Sequence, residues 1–134
     1  MLHLLFWTVL MVPSYLTAQT GPGIAFEIEE HNFGTVEMGT VVRYTFIYRN
    51  TGNQPLIASK AKAGCGCTKV EFTADTLAPG ESGGVTYVFD TQNRLGNERN
   101  SLTLWTNAKE TPHKLKFHGV IVPRQTQSED AIER

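Results

Sequence analysis

The chain of 134 residues is poor in cysteine and has no surplus of charge of either sign. Two cysteines are too few for the dense disulfide framework that supports small secreted domains without a sufficient core. Twelve Lys and Arg residues stand against 13 Asp and Glu residues, for a formal net charge of −1. This balance argues against a nucleic-acid-binding protein and against a protein held on an anionic membrane by basic residues.

A long apolar run is also missing, and the longest one lies at the N-terminus. Residues 1–18, MLHLLFWTVLMVPSYLTA, contain no Asp, Glu, Lys or Arg, and the apolar stretch 4–12 has the length of the hydrophobic region of a signal peptide. A membrane-spanning helix needs about 20 apolar residues, which this stretch does not reach before Pro13. We therefore expect residues 1–18 to be a cleaved signal peptide. The mature chain would be exported, to the periplasm or the extracellular space, with no membrane span.

Alternation of apolar and polar residues dominates the rest of the chain. It is seen in five runs: IAFEIEE, VVRYTFIYRN, GVTYVFDT, SLTLWTN and HKLKFHGVIV. A period of two indicates strands with one buried face, and the segments NFGTVEMGT, NTGNQP, LAPGES and QNRLGNE predict turns between them. The pattern predicts an all-β, immunoglobulin-like antiparallel sandwich of about 7–8 strands over residues 24–122, followed by a polar flexible tail, 123–134. The expected core residues are Phe26, Tyr44, Phe46, Phe89, Leu104, Leu115 and Phe117.

No recognisable catalytic motif accompanies this pattern. Ser82 lies between glycines in PGESGG, but a turn explains that segment, and no motif places a base beside the serine. Asp75 and Asp90 fall near strand ends, where aspartate commonly accepts hydrogen bonds from its own turn. We expect surface positions for the histidines beyond the signal peptide, which are His31, His113 and His118. The sequence therefore predicts no catalytic residue, no cofactor and no enzymatic activity.

Both cysteines lie in the segment KAKAGCGCTKV and flank a single residue, Gly66. Residues two apart on an extended strand have Cα atoms about 6.6 Å apart, close to the upper limit of about 6.8 Å for a disulfide. A bond between Cys65 and Cys67 therefore needs a bend, which Gly66 can supply with a positive φ. So short a loop would stabilise the fold little and would be easily reduced. Three states stay open: a reversible disulfide, two buried or free thiols, and a metal site that adds a distant histidine.

Several short motifs follow one another in a specific order. They are Phe33-Gly34, residues 50–52 (Asn-Thr-Gly), residues 65–68 (Cys-Gly-Cys-Thr), residues 79–81 (Pro-Gly-Glu) and Phe89-Asp90. Together they resemble the bacterial domain-of-unknown-function family 1573, from about Phe26 to Val122. The resemblance implies a secreted or envelope-associated protein with an immunoglobulin-like sandwich, similar to domains of sperm-protein-like and cilia-associated chains. It implies no particular biochemical activity.

Two hypotheses of function follow. In the first, the chain is a non-catalytic exported module that binds an unknown protein partner in the cell envelope by strand addition at an exposed sheet edge. Trp105 is the candidate anchor if it faces outward beside Leu104, although packing within the second sheet would also explain it. In the second, the chain is a redox-active or metal-handling protein that acts through Cys65 and Cys67. Thiol counting and metal analysis would separate the two.

Overall fold

The computed structural model describes residues 20–72 and 76–125. The predicted signal peptide, Asp75 and residues 126–134 of the predicted tail lie outside the described residues. The described ranges form nine strands: β1 (Ala25–Phe26), β2 (Glu30–Glu37), β3 (Val41–Arg49), β4 (Leu56–Ala63), β5 (Thr68–Phe72), β6 (Thr76–Leu77), β7 (Ser82–Asp90), β8 (Gly96–Thr106) and β9 (His113–Val122). Over these ranges no helix is long and apolar enough to cross a membrane.

The strands form two sheets that pack against each other. The first sheet has the order β1-β3-β7-β5, and the second has the order β2-β9-β8-β4-β6. Neighbouring strands are antiparallel, except that β2 and β9 run parallel. The predicted immunoglobulin-like β-sandwich is confirmed, with nine strands instead of 7–8 because two of them contain only two residues.

The core lies between the sheets, on the faces that the alternation predicts. Phe46, Phe89, Leu104, Leu115 and Phe117 are fully buried as expected, whereas the two other predicted core residues, Phe26 and Tyr44, are half-buried against this cluster. Each fully buried side chain of this size contributes about 1.5–3 kcal/mol. Further buried residues come from the same faces and from segments without a clear alternation: Tyr48, Leu56, Leu77, Val85, Tyr87, Leu102 and Ile121.

The N-terminal run IAFEIEE does not form the single strand that its alternation predicts. This run pairs with the first sheet only as far as Glu27, whose N–H donates to the Ile47 carbonyl at 3.0 Å. The chain then crosses to the second sheet, where β2 begins at Glu30. Ile28, expected on the buried face, is therefore 41% exposed. The run of glutamates explains the crossing, because carboxylates without partners are not buried between sheets.

The segment NFGTVEMGT, predicted to be a turn, forms most of β2, and the turn itself is confined to residues 38–40. The register with β9 shifts between Asn32 and Gly34, and Gly34 has a φ of 76°. A bulge of this kind inserts one residue and interrupts the period of two, which hid the strand in the sequence. Similarly, β8 begins at Gly96, inside the predicted turn QNRLGNE.

Candidate functional site

The cysteine loop, residues 64–67, joins β4 of the second sheet to β5 of the first sheet. At its start the Gly64 N–H donates to the Ser101 carbonyl at 2.8 Å, which holds the end of β4 on β8. At its end the Cys67 carbonyl accepts from the Asp90 N–H at 3.2 Å, which places the start of β5 on β7. The loop is therefore fixed on both sheets at one corner of the sandwich.

Cys65 and Cys67 form a disulfide across this loop, with their Cα atoms 5.4 Å apart. That separation lies inside the usual range of about 4.4–6.8 Å. Both cysteines are half-buried, and Cys67 packs against the core. The Thr68 hydroxyl oxygen lies 3.8 Å from the sulfur of Cys65 and 3.7 Å from that of Cys67. Of the three states that the sequence left open, the structure contains the disulfide.

The expected bend does not come from Gly66, whose φ is not positive. It comes from a turn in which the Thr68 N–H donates to the Cys65 carbonyl at 3.3 Å. A Cβ on Gly66 would meet no atom within 4 Å, whereas a Cβ on Gly64 would lie 3.1 Å from both the carbonyl and the hydroxyl oxygen of Ser101. The glycine that the local geometry requires is therefore Gly64, where two backbones approach closely.

A metal site at the cysteines has no support in the described part of the chain. No group of three or more His, Cys, Asp or Glu side chains there could hold a metal ion. A disulfide also makes both sulfurs unavailable as metal ligands, since the thiolate is the metal-binding form of cysteine.

Strand β5, which leaves the cysteine loop, is an open edge. Among residues 20–72 and 76–125 it pairs with β7 and with no other strand. Because the Cys67 carbonyl is bonded to β7, the alternation of an antiparallel ladder directs the backbone groups of Lys69 and Glu71 toward β7 as well. The N–H and C=O groups of Val70 and Phe72 therefore point to the open side, where an extended peptide could pair with them.

Trp105 faces outward from the second sheet, since its neighbour Leu104 is fully buried and Trp105 itself is half-buried. The Nζ atom of Lys60, the residue opposite in β4, lies 5.1 Å from the centroid of the ring, within cation–π range. The cysteine loop begins just beyond Ala63, which pairs with Leu102, so Trp105 lies about 10 Å further along β8. The structure thus does not bring Trp105 to the cysteines or to β5.

His31 is half-buried, as His113 is, instead of lying at the surface as expected. Its ring stacks on that of Tyr44 with centroids 3.6 Å apart, and its Nδ1 lies 2.8 Å from the hydroxyl of Tyr87. Burial lowers the pKa of His31, and the nearby His118 lowers it further. Burial likewise raises the pKa of Tyr87, so that both groups are held neutral. His31 is part of the aromatic packing between the sheets.

The other polar residues that the sequence analysis considered, Ser82, Asp90, His113 and His118, lie at separate places in the sandwich. Ser82 is exposed at the start of β7, opposite Arg49, and Asp90 accepts a hydrogen bond from the N–H of Gln92 at 2.9 Å, as expected for a turn aspartate. His113 is half-buried, and its ring centroid lies 5.5 Å from that of Phe26. His118 lies on the outer face of the second sheet, where its Nδ1 is 3.2 Å from the Glu30 carboxylate.

Comparison with solved structures places the sandwich among immunoglobulin-like and PapD-like domains. A protein of unknown function from Porphyromonas gingivalis W83 is 15% identical with a TM-score of 0.68, covering 79% of this chain and 50% of that one. PapD-like domain 7 of human CEP192 is 12% identical with a TM-score of 0.59, covering 92% and 100%. The VesB protease of Vibrio cholerae is 18% identical with a TM-score of 0.56, covering 75% and 31%.

These likenesses show the fold alone, and the chain spans about half the length of the Porphyromonas protein. No curated protein sequence matches the chain significantly. A family model described as "Protein of unknown function (DUF1573)" matches residues 24–121. The chain belongs to this family, which confirms the resemblance seen in its motifs.

Proposed function

We propose that this protein is an exported, non-catalytic binding module that pairs with an extended segment of a protein partner in the cell envelope along the open edge of β5. The observation that carries the proposal is the one-sided pairing of β5, with the backbone groups of Val70 and Phe72 directed to the open side. A partner segment in strand conformation would satisfy these groups by adding a strand to the first sheet. The signal-peptide pattern of residues 1–18 supports export.

The cysteine loop supports this role by holding the edge in place before a partner arrives. The disulfide restricts the turn from which β5 starts, and the bond from the Asp90 N–H to the Cys67 carbonyl fixes the register of β5 on β7. A preorganised edge lowers the ordering cost of association. The disulfide therefore contributes to binding more than to the stability of the sandwich.

The experiment selects linear peptides from a displayed random library on the oxidised protein and measures their affinities. Val70→Pro removes an N–H that points to the open side and leaves the β5–β7 hydrogen bonds in place, and proline is tolerated on edge strands. We expect this variant to lose at least about tenfold in peptide affinity, because a ladder hydrogen bond is left unmade. Val70→Ala, which reduces the packing of the Val70 side chain against the core but keeps the N–H, is the matched control and should bind normally.

Hydrogen exchange then locates the bound peptide. Amides of Val70 and Phe72 should become protected, and circular dichroism should show that both variants are folded. Peptides that protect the β8 strand around Trp105 and bind Val70→Pro normally would contradict strand addition at β5. Trp105→Ala should leave these affinities unchanged, because Trp105 lies on the other sheet.

Redox activity of the disulfide is a second candidate function. The observation that favours it is that both cysteines are half-exposed in a loop that encloses a single intervening residue. Thiol counting after equilibration with glutathione buffers of increasing reducing strength tests it. A bond that opens within the range of these buffers supports redox activity, and one that stays closed throughout excludes it.

A further inference from the structure

Five exposed cations lie together on the outer face of the second sheet, although the chain as a whole is nearly neutral. They define a surface that we name the basic face: Lys60, Lys62, Arg99, Lys114 and Lys116. The strand register brings them together from three strands. Lys62 and Lys114 both lie opposite Thr103, Lys116 lies opposite Ser101, and Arg99 lies opposite His118.

The dimensions of the basic face follow from sheet geometry. Residues two apart on a strand lie about 6.6 Å apart, and neighbouring strands are about 4.8 Å apart. The row that contains Lys60 and Trp105 is therefore about 20 Å from the row that contains Arg99 and His118. A flat surface of this length, with cations at regular intervals, fits an elongated anionic ligand.

A depression of about 400 Å³ lies within the basic face. Long side chains surround it, among them Arg99, Lys114 and Lys116, and the small residues Gly64 and Ser101 also line it. Gly64 has no side chain because a Cβ there would crowd Ser101. The close approach of β4 and β8 beside the cysteine loop thus leaves a recess that several cations can reach.

A carboxylate also lines this recess. Glu30 lies opposite Lys116 on β2, and its Oε1 is 3.2 Å from Nδ1 of His118. A carboxylate among these cations weakens the attraction of the face for a densely charged polyanion such as duplex DNA or an anionic bilayer. The same carboxylate can accept hydrogen bonds from hydroxyl groups. The three cations, the Ser101 hydroxyl and the Glu30 carboxylate around the recess fit a ligand that carries many hydroxyls and well-spaced negative charges.

We propose that the basic face binds a linear acidic polysaccharide whose sugars carry carboxylates. A carboxylate of the polymer lies in the recess against Lys114, Lys116 and Arg99, where charge-assisted hydrogen bonds form. Glu30 accepts from neighbouring sugar hydroxyls, and Trp105 extends the surface with an aromatic ring for the apolar face of a sugar. This surface lies on the opposite sheet from β5, so it is a second binding site that does not depend on strand addition.

Calorimetric titration with hexagalacturonate, a six-sugar chain with one carboxylate per sugar, tests the proposal. We expect binding that weakens with added salt, since exposed charges are screened, and no binding of the neutral maltohexaose. Lys116→Gln should weaken the affinity at least about fivefold, because a charge-assisted hydrogen bond is lost. The matched control is Lys69→Gln, the same substitution on the outer face of the first sheet, and it should bind as the original protein does.

A second variant distinguishes the polysaccharide from other polyanions. Glu30→Ala removes a hydroxyl acceptor as well as a repulsive charge, whereas Glu30→Gln removes only the charge and keeps an acceptor oxygen, so hexagalacturonate should bind more weakly to Glu30→Ala than to Glu30→Gln. Equal or tighter binding of hexagalacturonate to Glu30→Ala than to Glu30→Gln would overturn the proposal. So would equal losses in Lys116→Gln and Lys69→Gln, an absence of binding to the original protein, or tighter binding of duplex DNA or phosphatidylserine vesicles than of hexagalacturonate.

Discussion

Strand β4 is reached and left by two crossings between the sheets, and these are held in different ways. The cysteine loop after β4 is half-exposed and closed by a covalent bond. The crossing before it, residues 50–55, surrounds the buried side chain of Asn50, which is 1% exposed. The Asn50 amide nitrogen donates to the carbonyls of Gln54 (2.8 Å) and Leu77 (3.0 Å), and its oxygen accepts from the N–H groups of Gly52 (2.9 Å) and Gly23 (3.3 Å).

The two crossings differ as much in their packing. A Cβ on Gly52 would overlap the backbone of residues 21–23, whereas a Cβ on Gly66 of the cysteine loop would meet open space. The crossing without a covalent bond is therefore the one whose shape the rest of the molecule determines. The disulfide therefore lies in the crossing whose middle, at Gly66, is not constrained by packing.

The largest effect should come from removing the Asn50 amide. Asn50→Ala leaves the buried Leu77 carbonyl, the part-buried Gln54 carbonyl and two N–H groups without this partner, and we expect a loss of about 3 kcal/mol in the free energy of unfolding. Denaturant titration measures it. The control is Asn53→Ala at the same crossing, which removes one exposed hydrogen bond to the Gly21 N–H and should cost less than about 1 kcal/mol. Equal losses would show that the buried amide has no special role.

A pair of Gly→Ala substitutions compares the two crossings directly. Gly52→Ala should lower the free energy of unfolding by about 2 kcal/mol, because the backbone at Gly52 and that of residues 21–23 must move apart. Gly66→Ala should change stability by no more than about 0.5 kcal/mol, since it adds a methyl group toward solvent. Thermal unfolding of both variants provides the measurement. A larger loss for Gly66→Ala would mean that the cysteine loop is the more constrained of the two.

Reduction of the disulfide should have a smaller effect. The chain-entropy model assigns a three-residue loop about 1.5 kcal/mol, less than is typical of longer loops. Unfolding titrations with and without a phosphine reductant, with thiols counted at each point, would measure the difference. The double variant Cys65→Ala/Cys67→Ala should behave like the reduced protein. A loss of more than about 3 kcal/mol would identify the bond as a main support of the fold.

The pH dependence of the free energy of unfolding tests the packing between the sheets and involves neither crossing. We expect this effect to be the smallest. Burial lowers the pKa of His31 below its ordinary value of 6.5, so the unfolded chain binds more protons than the folded one just below that pH. The contribution of His31 to the free energy of unfolding is complete above pH 6.5, and it decreases as the pH falls from there toward the pKa of His31 in the folded protein. His113 shifts in the same direction. His31→Phe keeps a ring beside Tyr44, and its stability should depend less on pH just below 6.5; an unchanged pH dependence would contradict the assignment.

The sequence predicts the central strands well because their alternation is long and regular. Phe46 and Phe89 fall on the buried face of such runs. The alternation does not reveal β2, where the bulge before Gly34 interrupts the period, or β4, where alanines give a weak pattern. It also could not place the buried Asn50, because its four hydrogen-bond partners include Gly23 and Leu77, each 27 residues away.

The candidate sites were only partly predictable, for a similar reason. The spacing of Cys65 and Cys67 predicted that a bend is required for a disulfide, but the bend comes from a hydrogen bond to Thr68 instead of from the torsion of Gly66. The basic face could not be predicted from the sequence, because Lys62 and Lys114 are far apart along the chain and come together only when β8 lies between their strands. A balanced overall charge gives no sign of such local separation.

The parallel pairing of β2 with β9 has a consequence for how the chain acquires its structure. Strand β2 pairs with β9 alone among the described strands, so the second strand of the sandwich cannot pair until the ninth has been synthesised. Contacts between such distant parts of a sequence have a high entropic cost of closure and slow folding. The sandwich therefore cannot close from its N-terminus as the chain emerges. A chain truncated before β9 would leave one side of β8 and the whole of β2 unpaired, and would be prone to associate with other chains.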